Sequence, residues 1–260
     1  MDSPFFSIIT CTYNSEQYLN QCIQSVKEQK CGNYEHIIVD AFSTDRTPEI
    51  IDSYAKKDSR VRIIEAEPKG ISNAMNLGIL NSRGKVIQHL HSDDYYFTDQ
   101  TLSVVYAAFN KYPRKSIVTG VCARDINGSL RSGLLSTSTY HRRKLLLRYL
   151  IYVNCYIAHP ATFIKKSVFE NHGLFDESFK IAMDYEYWLR VIGQESFLLM
   201  NRELTVFREH EAAASFSREE CLMEENQARR LHKNGFRARI ARPFIAKAVE
   251  FKEKYNLRKG

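Results

Sequence analysis

Between residues 5 and 91, short β-branched runs alternate with segments of helical periodicity, and few folds accommodate that pattern. "FSIITCTY" has strand character, and "NSEQYLNQCIQSVKEQ" then puts Tyr18, Leu19, Cys22, Ile23 and Val26 on one helical face. Asn14, with Gln17 three residues on, has the form of a capping box opening that helix. "HIIVD" (36–40) is a second strand; Thr47-Pro48 follows as the cap and first turn of a helix that turns Ile50, Ile51 and Tyr54 inward. "VRIIEA" (61–66), the helix "ISNAMNLGILNS" and the strand "KVIQHLH" (85–91) complete three strand–helix units. Strands this apolar need cover on both faces. The pattern therefore predicts an α/β class, with a mainly parallel, Rossmann-like sheet between two helical layers. In such sheets ligands bind beyond the carboxyl ends of the strands, near the topological switch point. The polar residues after each strand are candidates for one rim: Thr10, Thr12, Tyr13 and Asn14, then Asp40, then Glu67 to Gly70, then Asp93 and Asp94.

From residue 98 the pattern changes. A helix "TDQTLSVVYAAFNKY" precedes "SIVTGVCARD" and "SLRSG", which Asn127-Gly128 joins as a hairpin, so a small antiparallel part follows the parallel half. "HRRKLLLRYLIYVNCYI" (141–157) is basic and then apolar, "ATFIKKSVFENHG" is a strand followed by a helix, and "AMDYEYWLRVIG" is a helix. Beyond about residue 215 the chain is predicted to be a helical, basic extension, with Arg229, Arg230, Lys233, Arg237, Arg239, Arg242 and Lys247 in close succession.

The apolar share of 44% supports a sizeable core, and no apolar run reaches the length of a membrane span. The start lacks a basic leader, which predicts a cytoplasmic protein. Six scattered cysteines form no C-x-x-C pair, pointing to reduced core thiols rather than a zinc site or a disulfide framework. The net charge of +7 suits a polyanionic partner. Nucleic acid is disfavoured because no reading motif surrounds the basic residues. If the C-terminal basic residues share a helical surface with Phe236, Ile240 and Phe244 beside it, the segment suits an anionic membrane face; packing on the domain is the competing reading. The first strand is followed by no G-x-G-x-x-G, and no G-x-x-x-x-G-K-[ST] occurs, so dinucleotide and P-loop sites are disfavoured.

Two adjacent carboxylates repel, and a divalent cation compensates them. Asp93 and Asp94 accordingly suit Mg²⁺ or Mn²⁺ completed by substrate phosphates; a helix-capping Asp93 beside a solvated Asp94 is the alternative. Tyr13 suits stacking on a base, and Asp40 suits hydrogen bonds to a base or sugar, although both residue types also serve as packing and capping groups in such loops. Asp184, opening a helix that carries Tyr187, Trp188 and Val191, is placed either to act as a general base or to oppose the helix dipole. His210 is a candidate third metal ligand or a surface histidine. His159 in "NCYIAHPATF" is a candidate for the acceptor wall or a packed strand residue.

Together these segments resemble family 2 glycosyltransferases of the GT-A fold, of the type that builds bacterial polysaccharides. The likeness spans roughly residues 5–215 and rests on "SIITCTYNSEQYLNQCIQSVKEQ", "HIIVDAFSTDRT", "EPKGISNAMNLGI", "HSDD", "GLFDE" and "MDYEYWLR" in that order. It implies a nucleotide-sugar half over 1–97, an acceptor half over 98–215 and an extension over 216–260. It implies that Thr10, Tyr13, Asn14, Asp40, Asn73 and Asp93 hold the nucleotide, and that Asp94, Asp93 and His210 hold Mn²⁺ or Mg²⁺. Asp184 would be the catalytic base, and His159 and Trp188 would meet the acceptor. The implied reaction is inverting transfer from a nucleoside-diphosphate sugar, with a UDP-sugar favoured, to a glycan or lipid-linked hydroxyl. Polyprenyl phosphate is the alternative acceptor, and a non-catalytic sugar-binding module the alternative role. Ala41, His91, Met183 and Asn73 depart from the family's acidic pattern, and no Q-x-x-R-W motif occurs, so transfer of one sugar per acceptor is expected.

Overall fold

The computed structural model describes residues 3–136, 140–141, 146–147, 151–152, 155–210 and 218–232. In the first half the elements alternate: β1 (Phe6–Thr12), α1 (Leu19–Lys27), β2 (Tyr34–Asp40), α2 (Thr47–Ala55), β3 (Val61–Glu65), α3 (Ile71–Leu80) and β4 (Val86–His89). Then come β5 (Tyr95–Tyr96), α4 (Thr101–Lys111), β6 (Ile117–Ile126) and β7 (Ser129–Arg131). A 3₁₀ turn (His159–Ala161) leads into β8 (Thr162–Lys165), α5 (Lys166–His172), α6 (Met183–Val191), β9 (Phe197–Glu209) and α7 (Arg218–Leu231).

All nine strands join one sheet in the order β3-β2-β1-β4-β8-β6-β9-β5, with β7 paired to β6. The first four are parallel: the chain steps outward from β1 to β3, then returns to the other side of β1 as β4. The switch point therefore lies between the carboxyl ends of β1 and β4. β8 adds antiparallel to β4, β6 adds antiparallel to β8, and β9 runs parallel to β6 with register shifts between Thr119 and Cys122. Asn127 and Gly128, both at positive φ (51° and 81°), make the tight β6–β7 turn that their sequence predicts.

Successive residues of β1 point to opposite layers, as strand geometry requires. Phe6 and Ile8 pack with Val26, Leu102, Val105 and Phe109 on the α1/α4 side. Ile9 packs with Met75, Ile79 and the aromatic face of α6 on the other. The apolar stripe of α1 (Leu19, Cys22, Ile23, Val26) is buried throughout, and each full aliphatic burial contributes about 1.5–3 kcal/mol.

Two helix starts differ from expectation. Asn14 does not cap α1; it adopts a left-handed conformation (φ 49°), and the helix begins five residues later at Leu19. The Asn14 side-chain oxygen instead accepts from the Thr44 N–H, tying the β1–α1 loop to the β2–α2 loop. Thr47 is the first helical residue of α2 rather than its cap, and its hydroxyl accepts from the Ser15 N–H.

The described part of the C-terminal extension is balanced rather than basic: α7 carries Glu219, Glu220, Glu224 and Glu225 against Arg218, Arg229 and Arg230. It docks on α6. The Glu224 carboxylate accepts from the N–H groups of Lys180, Ile181 and Ala182 at 2.8–2.9 Å. Arg229 donates to the Tyr185 hydroxyl, and His232 pairs with Glu186. Lys233, Arg237, Arg239, Arg242 and Lys247, with Phe236, Ile240 and Phe244, lie outside the described residues. Among those described, no helix is long and apolar enough to cross a membrane.

Candidate active site

A cavity of about 750 Å³ opens at the switch point. One side is built by Cys11, Thr12 and Tyr13 at the end of β1 and by His91, Ser92 and Asp93 beyond β4. Met183 and Asp184 at the start of α6, Lys180 just before it, Phe207 of β9, His159 and Pro160 also line the cavity. Gly70, at φ 97° where L side chains are strained, lets the chain turn into α3 at the cavity edge.

Asp93 faces this cavity, and its Oδ2 is 2.8 Å from Nε2 of His210, the residue just beyond β9. Asp94 points the other way. It is fully buried, its Oδ1 accepts from the Arg208 N–H (3.1 Å), and its Oδ2 has no partner. Burial, with the Asp93 charge beside it, holds the Asp94 carboxyl well above the usual carboxylate range. Asp94 therefore does not reach the cavity as the expected metal ligand. Among the described residues no group of three or more His, Cys, Asp or Glu side chains is arranged to hold a metal ion.

Asp184 lines the same cavity. Its carboxyl is pushed up to about 6, chiefly by burial and further by the Glu225 carboxylate, while the Tyr185 N–H bonded to its Oδ1 works against the rise. Among the described residues, no Lys, Arg or His forms an ion pair with it.

Of the expected nucleotide contacts, Tyr13 (61% exposed) and Asp93 line the cavity. The other four have different work. Thr10 lies inside β1 rather than after it, fully buried, donating to the Leu90 carbonyl and bonding to His36 at 2.9 Å. The Asp40 carboxylate is taken up by the Thr12 and Ser43 hydroxyls and the Ser43 N–H, which close the β2–α2 turn. Asn14 bridges two loops, as above, and Asn73 donates to Glu177, fastening α3 to the "GLFDE" loop.

His159 lines the cavity but is only 7% exposed, its ring packed among His89, His91, Phe175 and Trp188 at centroid distances of 5.2–5.8 Å. Burial and its histidine neighbours hold it well below the usual imidazole range, so it is neutral. Trp188 is fully buried, because α6 turns it into the core rather than toward the cavity. It offers no surface to an acceptor.

The family model described as Glycosyl transferase family 2 matches residues 7–173. The chain belongs to that family. Relatives include the Bacillus subtilis (strain 168) glycosyltransferase EpsJ, 28% identical over 220 residues that make up 80% of this chain and 62% of that one. A PGL/p-HBAD biosynthesis glycosyltransferase of Mycobacterium bovis is 28% identical over 200 residues, 76% of this chain and 73% of that one. The chain spans less than two thirds of the length of several relatives, among them EpsJ. Among solved structures, Staphylococcus aureus TarS with UDP-GlcNAc superposes with a TM-score of 0.73 at 18% identity, covering 94% of this chain and 71% of that one. The mannosyltransferase PcManGT of Pyrobaculum calidifontis, in complex with GDP-Man and Mn²⁺, gives 0.65 at 16% identity, covering 98% and 76%. These likenesses show the GT-A fold.

One residue held against Asp93 escaped the sequence reading. Arg208, in "FREHE", donates from Nε to the Asp93 carbonyl, reaches Gln21 and Asp125, and lies over the Tyr18 ring at 4.4 Å. Its partners stand 83 to 190 positions away in the chain, so no local pattern announces it.

Proposed function

We propose that the chain transfers one sugar per event, with inversion, from a nucleoside-diphosphate sugar to a hydroxyl of a glycan or lipid-linked acceptor. The observation that carries this reading is the presence of two unlike carboxylates in one cavity: Asp93 beside an imidazole, and Asp184 desolvated and pushed up to about 6. A base poised near the working pH is what deprotonation of an acceptor hydroxyl asks for. Asp184 takes that proton, and the resulting alkoxide attacks the anomeric carbon as the nucleoside diphosphate departs from the opposite face. Tyr13, exposed at the cavity mouth, stacks on the base, and His159 and Pro160 contribute to the wall that the sugar or acceptor meets.

A hard divalent cation, Mg²⁺ or Mn²⁺, fits the Asp93 oxygen and the His210 nitrogen, a two-residue donor set of the kind such ions complete with phosphate oxygens and water. When bound, the cation supplies positive charge to the departing diphosphate. A polyprenyl-phosphate acceptor would arrive already ionised, and Asp184 would then be dispensable. UDP-sugars are the favoured donors, since TarS binds UDP-GlcNAc, although PcManGT binds GDP-Man.

The formal +7 charge resides entirely in residues 233–260, where nine Lys and Arg stand against two Glu. That segregation supports an anionic membrane partner at the cytoplasmic face, because each basic residue near such a surface contributes about 1 kcal/mol. Co-sedimentation with phosphatidylserine vesicles, full chain against a truncation after residue 232, checks it; equal binding by both refutes it. The transferase reading is tested by isothermal titration with UDP, GDP, dTDP and CDP, with and without Mn²⁺. Metal-dependent binding of one nucleotide supports it, and binding of none overturns it in favour of a non-catalytic module.

A further inference from the structure

The acidic turn and the strand that leads to His210 are fastened by one residue acting through both its backbone and its side chain. The Arg208 N–H donates to Asp94 Oδ1 at 3.1 Å, and its Nε donates to the Asp93 carbonyl at 3.1 Å. The guanidinium is itself held between the Tyr18 and Tyr95 rings and 3.5 Å from the Asp125 carboxylate. Two positions further on, His210 meets the Asp93 carboxylate, its ring 5.0 Å from that of Tyr18. Asp94 is fully buried at the centre of this arrangement and has no share in the cavity wall.

We propose that Asp94 and Arg208 are positioning residues. They lock the end of β9 to the Asp93 turn, so that Asp93 and His210 present one oxygen and one nitrogen together to a divalent cation and its diphosphate, while Asp94 is not a ligand. The inference rests on the sugar-nucleotide reading above and assigns the two adjacent carboxylates different tasks. It follows that the chemistry Asp94 must supply is a hydrogen-bond acceptor of the right shape, which an amide oxygen also supplies. A metal ligand has a different requirement, because replacing a coordinating carboxylate by an amide removes the charge that binds the cation.

The test uses the full chain and the variants D94N, D94A, R208K and D93A. Mn²⁺ binding in the presence of UDP is followed by electron paramagnetic resonance. D94N is expected to bind within about threefold of the wild type, D94A and R208K to lose on the order of tenfold, as outer-shell changes do, and D93A to lose roughly a hundredfold. Loss in D94N as complete as in D93A overturns the proposal and returns Asp94 to the cation. Amide hydrogen exchange at Arg208, measured without metal or nucleotide, separates this inference from the reading it rests on. Faster exchange in D94A but not in D94N supports the clamp, and unchanged exchange in D94A overturns it. If the wild type binds neither Mn²⁺ nor UDP, the sugar-nucleotide reading falls, while the exchange result still decides the clamp. D94N also serves where D94A fails to fold.

Discussion

Asp93 and Asp184 line one cavity, yet their surroundings differ in kind. Asp93 stands at the end of the parallel half with an imidazole at 2.8 Å and the Arg208 guanidinium on its own carbonyl. Asp184 opens a helix in the second half, partly enclosed by apolar groups, with the Glu225 carboxylate adding to the cost of ionising it. The difference teaches how one site separates two tasks using the same side chain: Asp93 is held by hydrogen bonds at its carboxylate and carbonyl, whereas burial pushes Asp184 up to where it can exchange a proton.

Removing either side should break the comparison differently. Asp184→Asn is expected to lower turnover by about 10²–10⁴-fold while nucleotide affinity stays within about twofold, since only proton transfer is lost. Steady-state nucleoside-diphosphate release and titration calorimetry check the two halves of that statement. Asp93→Ala should weaken Mn²⁺-dependent nucleotide binding by roughly a hundredfold, equivalent to about 2.7 kcal/mol, and leave metal-free binding nearly unchanged.

The same asymmetry has a stability signature whose sign can be worked out. Asp184 has a folded value of about 6 against an ordinary 3.8, so the folded state binds its proton more tightly than the unfolded state does. The wild type therefore loses stability as pH rises from about 4 to about 6, and the cost, at most roughly 3 kcal/mol, persists above that. Asp184→Asn should raise the melting temperature at pH 8, and the gain should shrink toward pH 4. Thermal denaturation across that range measures it; an equal effect at both ends contradicts the desolvated carboxyl. Smallest is the expected effect of Thr10→Val, which removes the bonds to His36 and the Leu90 carbonyl. It should cost about 1–3 kcal/mol in denaturant unfolding with no change in nucleotide affinity, where a nucleotide-holding Thr10 would show the reverse.

The strand–helix alternation made the parallel half legible, because each strand there is a local apolar run and the ligand edge follows from topology. The helix that Asp184 opens was legible too, since a helix start and an aromatic face coincide there. What local patterns do not carry is the direction of a side chain at a strand end. The strand-end pattern puts Thr10 among the rim candidates, but Thr10 sits two residues before the end of β1 with its side chain in the interior. Asp93 and Asp94 are neighbours in sequence and read there as a pair. Only the pairing of Tyr95 with Val206, which brings Arg208 against the turn, sends one into the cavity and the other into the core. Trp188 illustrates the same limit on a helix, where α6 is enclosed on nearly every side and an aromatic that periodicity could have turned outward is buried.

The division of labour between Asp93 and Asp184 is tested most directly by the pH dependence of sugar-nucleotide turnover in the wild type and in Asp184→Asn, with nucleotide affinity measured on the same samples. The account expects wild-type turnover to rise with pH through a midpoint near 6. In the variant it expects a flat profile, slower by about 10²-fold or more, with nucleotide binding intact. A variant that keeps the wild-type profile, or one that loses nucleotide binding along with turnover, contradicts it.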